Sequence, residues 1–385
     1  MLFALFLLLA APGTPPAAAP PVLAADAEGR WVPFELTSAN QIRFTALVNG
    51  RRVVAILDTG VTTSAVSRRF ANAAKLVMQP GGDALTVGGS VAAGWAEAAS
   101  LAFGPVARGA TRFAVADFAT AATGGAPVDL LIGADLTAPF ALDLDFDNRR
   151  FRLLRSGRLP FAGASSRLRI GTDWPFYVTE VSIGDDKIDR IVIDTGDGTA
   201  LTLAQDAAAR LPGLAPATST LDYSIAGATV ADLIMLPELH SGTTAIRDVE
   251  MRIESAGGFS TKTGMSGRIG SGLLRGYRVL LDPGAGRMVL APGRTANTPA
   301  VRSTSGLQLE ALPDRLRVLH VMRGGPAEAA GWHAGDTICA VDGMPVDARY
   351  AASARARWPI GAAGRSVDLS DCSGTSHPLV LRNFY

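Results

Sequence analysis

Two short strings in this 385-residue chain could do chemistry together: Ala55-Ile56-Leu57-Asp58-Thr59-Gly60 and Ile191-Val192-Ile193-Asp194-Thr195-Gly196. In each, an apolar, strand-favouring run delivers one carboxylate into a turn, followed by a hydroxyl and a glycine. A single Asp-Thr-Gly is an ordinary turn. Two copies behind buried-strand sequence point to two carboxylates built to meet. Carboxylates at hydrogen-bonding distance cannot both ionise cheaply, so they share one proton over a wide acidic-to-neutral range. The ionised member can take a proton from a water held between them, while the protonated member donates to a carbonyl oxygen. Such a pair hydrolyses acyl bonds with no metal and no cofactor. Asp58 and Asp194 are therefore the expected catalytic residues. Gly60 and Gly196 let backbone N–H groups approach them, and the Thr59 and Thr195 hydroxyls can tie the two loops together.

The elements that must position these residues recur in one order. Phe44–Val48, the turn Asn49-Gly50 and Val53–Leu57 read as a hairpin ending on Asp58. The pattern then predicts a helix over Ser64–Leu76, a hairpin with the glycine tip Gly88-Gly89, and a closing segment Leu131-Ile132-Gly133 before a final hairpin. From residue 177 the same order returns: a strand pair ending on Asp194, a helix over Gln205–Arg210, a hairpin tipped by Gly227, and the close Arg268-Ile269-Gly270. Asp58 precedes Gly133 by 75 residues and Asp194 precedes Gly270 by 76. Beyond them Phe140 and Tyr277, Asp145 and Asp282, Arg150 and Arg287, and Leu153 and Leu290 all share the offset 137. One offset across a whole hairpin marks an internal repeat.

On these strings and closes, residues 40 to 292 resemble two subunits of a retropepsin-like aspartic protease fused in one chain, a two-lobed pepsin-type arrangement. The resemblance implies a mostly β fold with a bilobal core, Asp58 and Asp194 as the catalytic pair, and Gly88, Gly89 and Gly227 as tips of flaps over a peptide cleft. Val61 and Asp197 depart from the family, which usually places Ala or Ser after Asp-Thr-Gly. Asp197 brings a third carboxylate near the pair, there to raise its pKa or to point into solvent. Further on, Gly325-Pro326-Ala327, Ala330-Gly331, Gly335-Asp336, Ile338 and Val341-Asp342-Gly343 resemble a small α+β PDZ domain of the bacterial protease-associated type. That resemblance implies that Gly306, Leu307, Gln308 and Leu309 receive a peptide C-terminus, the peptide adding as a strand. Packing on the protease core is the alternative role for this domain.

The expected layout is a signal peptide over 1–25, repeats over 32–155 and 168–292, a polar Pro/Gly linker over 293–300, and the PDZ-like domain over 301–385. Leu2–Ala11 has the length of a signal-peptide apolar region, followed by small-residue cleavage sites near Ala17-Ala18-Ala19 or Leu23-Ala24-Ala25. Export to a periplasmic or extracellular space follows; an uncleaved anchor is the alternative, since no Lys or Arg precedes the run. Lys plus Arg number 36 against 35 Asp plus Glu, with no basic block, which excludes the usual nucleic-acid and anionic-membrane binders. Four scattered histidines give no zinc site. Cys339 and Cys372 could form one disulfide in an oxidising compartment.

The function expected is an exported aspartic endopeptidase acting on peptide or protein substrates. A monomer suffices, although pairing of each repeat with its twin in a homodimer would also build the site. Two rivals stand beside it. One is a catalytically silent, exported peptide-binding adaptor on a protease-like core. The other is a serine hydrolase using Ser266 in Gly264-Met265-Ser266-Gly267, for which His240 is the sole histidine before the linker.

Overall fold

The computed structural model describes residues 8–9, 20–87, 89–211, 213–224, 227–296 and 298–385. Most of the expected export segment lies outside them, including Ala17-Ala18-Ala19 and all of Leu2–Ala11 but Leu8 and Leu9; so does the flap-tip candidate Gly88. The chain is mostly β.

In the first half, β1 (Ile42–Val48) and β2 (Arg51–Leu57) form a hairpin. Its turn residues Asn49 and Gly50 both have left-handed φ, 50° and 74°, as a two-residue turn matching strand twist requires. There follow β3 (Ala65–Ser67), α1 (Arg68–Ala73), β4 (Met78–Thr86), β5 (Gly89–Ala98), β6 (Thr111–Ala116), β7 (Leu130–Ile132), α2 (Ala134–Thr137), β8 (Ala141–Asp145) and β9 (Arg150–Leu154). The helix expected over Ser64–Leu76 is shorter. Ala65–Ser67 is extended instead, lying parallel to β6 and antiparallel to β7. The tertiary pairing of Val66 overrides local helix preference, and Ser67 caps the remaining helix by accepting the Phe70 N–H at 3.1 Å.

The second half runs through β10 (Tyr177–Ile183), β11 (Asp186–Asp194), β12 (Leu201–Ala204), α3 (Gln205–Ala208), β13 (Thr218–Ser224), β14 (Gly227–Ser241), β15 (Thr244–Glu254), α4 (Phe259–Lys262), β16 (Gly267–Gly270), α5 (Ser271–Leu274), β17 (Tyr277–Asp282) and β18 (Arg287–Pro292). The helix expected over Gln205–Arg210 ends at Ala208. β2 lies parallel to β7 and β11 parallel to β16, so each Asp leaves the end of a strand buried between neighbours. Such strands read as unbroken apolar runs, which Ala55–Leu57 and Ile191–Ile193 are.

The halves share a sheet in which β8 pairs antiparallel with β17, Leu142 opposite Leu281 and Leu144 opposite Val279. Val279 and Leu281 are the offset counterparts of Leu142 and Leu144, so the pairing is self-complementary, as a two-fold contact must be. A continuous core runs from Phe44, Leu57 and Phe151 to Ile193, Leu203 and Leu281. Each such side chain fully buried stabilises the fold by roughly 1.5–3 kcal/mol.

The C-terminal module has its own apolar cluster around Leu307, Val318, Ile338, Trp358, Val367 and Leu381. It comprises β19 (Leu307–Ala311), β20 (Leu316–Val321), α6 (Pro326–Ala329), β21 (Thr337–Ile338), β22 (Ala340–Val341), β23 (Ser366–Ser370) and β24 (Ser376–Val380). A disulfide joins Cys339 to Cys372, linking the β21–β22 segment to the turn between β23 and β24.

Candidate active site

Asp194 ends β11 and Asp58 follows directly on β2; both are fully buried, and Asp58 sits against the loop that carries Asp194, its Cγ 2.2 Å from where a Cβ on Gly196 would stand. The loops carrying them interlock. Thr59 N–H donates to Thr195 Oγ1 and Thr195 N–H to Thr59 Oγ1, each at 3.0 Å. The same hydroxyls donate onward across the seam, Thr59 to the Ile193 carbonyl at 2.7 Å and Thr195 to the Leu57 carbonyl at 2.8 Å. Each threonine oxygen therefore accepts one bond and donates another inside the core, which fixes its rotamer and the separation of the loops.

Within each loop the glycine N–H donates to the aspartate, Gly60 to Asp58 Oδ1 at 3.0 Å and Gly196 to Asp194 Oδ1 at 2.9 Å. The Asp197 N–H adds a second bond to Asp194 Oδ1 at 3.1 Å. A side chain at Gly196 is excluded, because its Cβ would stand 2.2 Å from Asp58 Cγ. The Oδ2 atom of each aspartate is buried and takes no bond from any N–H or O–H donor among the described residues. Burial pushes both carboxyls above their ordinary range. For Asp194 the charges of Asp58 and Asp197 push further, against the pull of Arg268; for Asp58 the bond to Asp194 pulls partly back. Burial and the neighbouring charges thus favour a proton held on the pair.

The closing turns support the two loops differently. In the first half Ser64 N–H and Oγ–H both donate to Asp135 Oδ1, at 2.8 and 2.7 Å, and Gly133 N–H donates to Ser64 Oγ at 2.9 Å. In the second half Asp197 is buried, not turned to solvent, and its Oδ2 lies 2.6 Å from Arg268 Nε. Sequence reasoning singled out Asp197 but missed Arg268 as its partner. Setting Arg268 opposite Leu131 at the offset of 137 would have exposed it. It also missed Gln41, a buried amide donating at 3.0 Å to the carbonyls of Gly196 and Ala122.

Gly89 and Gly227 start the return strands of hairpins β4–β5 and β13–β14, with φ of 131° and 121°, a region favouring glycine. Leu85 and Val87 of the first hairpin pack on a cluster formed by Phe176, Val178, Val192 and Phe259 of the second half. The expected peptide-binding loop of the C-terminal module differs from expectation. Gly306 N–H donates to Ser303 Oγ and Leu307 N–H to Ser305 Oγ, both at 3.0 Å, so two of the four amides already have local acceptors. Gln308 is turned toward β13 and receives the Leu221 N–H at 2.8 Å while donating to Thr220 Oγ1 at 3.0 Å. Leu309 is half-buried on β19, packed against the module's core. Ser219 Oγ accepts from Arg323 N–H at 3.1 Å and lies 2.9 Å from His320 Nε2, whose imidazole burial pushes below its ordinary range. Side chains of the module thus cover the outer edge of β13, which would otherwise expose unpaired backbone groups.

Ser266 is buried between α4 and β16, its N–H on the Arg190 carbonyl, whereas His240 pairs with Glu238. Neither makes a nucleophile–base contact. Among the described residues no group of three or more His, Cys, Asp or Glu is arranged to hold a metal ion.

Residues 44–136 match the family model described as aspartyl protease. No curated protein matches the chain. Among solved structures, a retropepsin-like aspartic protease from Rickettsia conorii aligns at 17% identity and a TM-score of 0.25, over 32% of this chain and 87% of that one. The segment matched by the family model contains Asp58-Thr59-Gly60, β3 to β7 and the first closing turn.

Proposed function

We propose that this protein is an exported aspartic endopeptidase whose site is completed within one chain, by Asp58 from the first half and Asp194 from the second. The observation that carries the reading is the burial of both carboxyls side by side in loops locked by reciprocal Thr59–Thr195 bonds. The aspartyl-protease match over residues 44–136 supports it. The ionised aspartate takes a proton from a water between the two Oδ2 atoms. The other aspartate gives its proton to the scissile carbonyl oxygen, and the tetrahedral intermediate collapses as the leaving amine is protonated. Because both aspartates are fully buried, peptide enters when hairpins β4–β5 and β13–β14 part. The seating of the C-terminal module on β13 supports control of that opening as its role, more than capture of peptide termini by Gly306–Leu309. Export is supported by the apolar run at Leu2–Ala11 and by the Cys339–Cys372 bridge.

Asp58→Asn and Asp194→Asn, made separately, test the reading in a peptide-cleavage assay between pH 3 and 8. Each is expected to cut kcat by about 10²–10⁴-fold or more, since either removes a proton-transfer partner. A pepstatin-type inhibitor should titrate at one per monomer. A folded wild-type protein that turns over no member of a peptide library would instead make it a peptide-binding adaptor.

A further inference from the structure

Strand register gives five positions around Asp58 a counterpart around Asp194. Val61 and Asp197 each follow an Asp-Thr-Gly and each accept the N–H of the residue after the closing glycine, from Ala134 at 2.8 Å and Ser271 at 2.6 Å. Leu131 and Arg268 pair with Ile56 and Val192, two residues before each aspartate. Ala114 pairs with Ala65, and Arg252 with Thr202; Ala116 and Glu254 lie two residues further along the same strands. Ala84 and Asp222 stand two residues before the last pair of each hairpin. Every one of these positions is buried. The first half fills them with an apolar cluster, the second with ions.

Those ions are joined. Arg268 contacts Asp197 at 2.6 Å, Glu254 at 3.0 Å and Asp222 at 3.4 Å; Arg252 contacts Asp222 at 3.1 Å and Glu250 at 3.6 Å. At the five positions three carboxylates face two guanidiniums, leaving an excess of one negative charge. Desolvating five charges costs several kcal/mol per ion before pairing is counted. The first half shows that the same scaffold packs without them. Folding therefore does not account for the cluster, but its place does: it backs onto the loop that donates the Asp197 N–H to Asp194 Oδ1.

Resting on the reading of Asp58 and Asp194 as a working pair, we infer that Asp197 and Arg268 are positioning residues that tune the shared proton in opposite senses, the net negative cluster holding it on the pair to higher pH. Asp197 from its own loop and Arg268 from β16 act on the pair directly; behind them stand Asp222 from β13 and Arg252, Glu254 and Glu250 from β15, and on the Asp58 side Asp135 of α2, which accepts from Ser64 and lies 3.6 Å from Arg108. At the five matching positions the Asp58 side carries only apolar residues, so the tuning by this cluster is built into one half.

The test is carboxyl-carbon NMR titration of Asp58 and Asp194, read beside the basic limb of kcat/KM against pH. Asp197→Asn removes a negative charge and should move both titrations about one unit to lower pH. Arg268→Gln should move them upward. The replacement Asp197→Val, Arg268→Leu, Arg252→Ala, Glu254→Ala and Asp222→Ala installs the residues of the first half, keeps a packed core if Arg268→Gln alone fails to fold, and should titrate lower than wild type. A five-fold replacement that titrates like wild type, or an Asp197→Asn shift to higher pH, overturns the inference. A wild-type pair that titrates as stated yet cleaves nothing would sink the proposed function and leave this inference standing.

Discussion

The two Asp-Thr-Gly loops have the same skeleton of hydrogen bonds and opposite surroundings. Around Asp58, Val61, Ala84, Ala114, Ala116 and Leu131 close an apolar pocket. Around Asp194, the same register positions hold Asp197, Asp222, Arg252, Glu254 and Arg268. The bonds that set geometry, Thr59 to Thr195 and each glycine to its aspartate, are nearly identical in length on both sides. Geometry is therefore held by the backbone and the threonines, and the choice between oil and ions behind each loop is left to set its electrostatics.

The largest effect that would break this comparison is a charge placed on the apolar side. Leu131→Arg buries a guanidinium with none of the three carboxylates that surround Arg268, and should cost several kcal/mol in urea unfolding. A folded Leu131→Arg variant of near-wild-type stability would show that the first half tolerates ions as readily as the second.

The threonines sharpen the comparison from the other direction. Thr59→Val and Thr195→Val each strip a buried N–H of its acceptor and a buried carbonyl of its donor, and should each cost about 2–4 kcal/mol. The interlock is reciprocal, so the two losses should agree. Unequal losses would mean that one loop holds the other.

A smaller effect reads the pair itself. Burial holds both aspartates above the ordinary carboxylate range. Above about pH 4 the unfolded chain has released protons that the native pair retains, so this pair makes stability fall as pH rises until the native pair itself titrates. Asp58→Asn removes the part of that dependence that belongs to Asp58 and leaves the part that burial gives Asp194. It should raise Tm by roughly 2–4 °C at pH 7 and change it little near pH 3, where Asp58 is neutral folded or unfolded. A lower Tm at pH 7 would mean that Asp58 is ionised and stabilising in the native state.

Much of the site was legible in the sequence. Asp58 and Asp194 stand out because apolar runs must be buried and each run ends on a carboxylate. The hydroxyl after each aspartate is the obvious tie between loops. Less legible was what local patterns hide. Ala65–Ser67 reads as helix, yet the strands on either side claim it. Arg268 reads only as part of the close Arg268-Ile269-Gly270, since nothing nearby in sequence announces that Asp197, Asp222 and Glu254 converge on it from three elements. Gln308 reads as part of a peptide-binding loop, yet it is spent on the backbone of β13.

By itself the sequence determined the two carboxylate turns, the strands that mount them, the repeated order and the spacing that permits a shared site. These depend on side-chain type and period, which are local properties. Only the tertiary structure decided which charges are buried together, which amides are already bonded, and that the C-terminal module rests on one hairpin. Those outcomes depend on contacts between residues far apart in the chain, where burial, not residue type, sets the strength of an ionic contact.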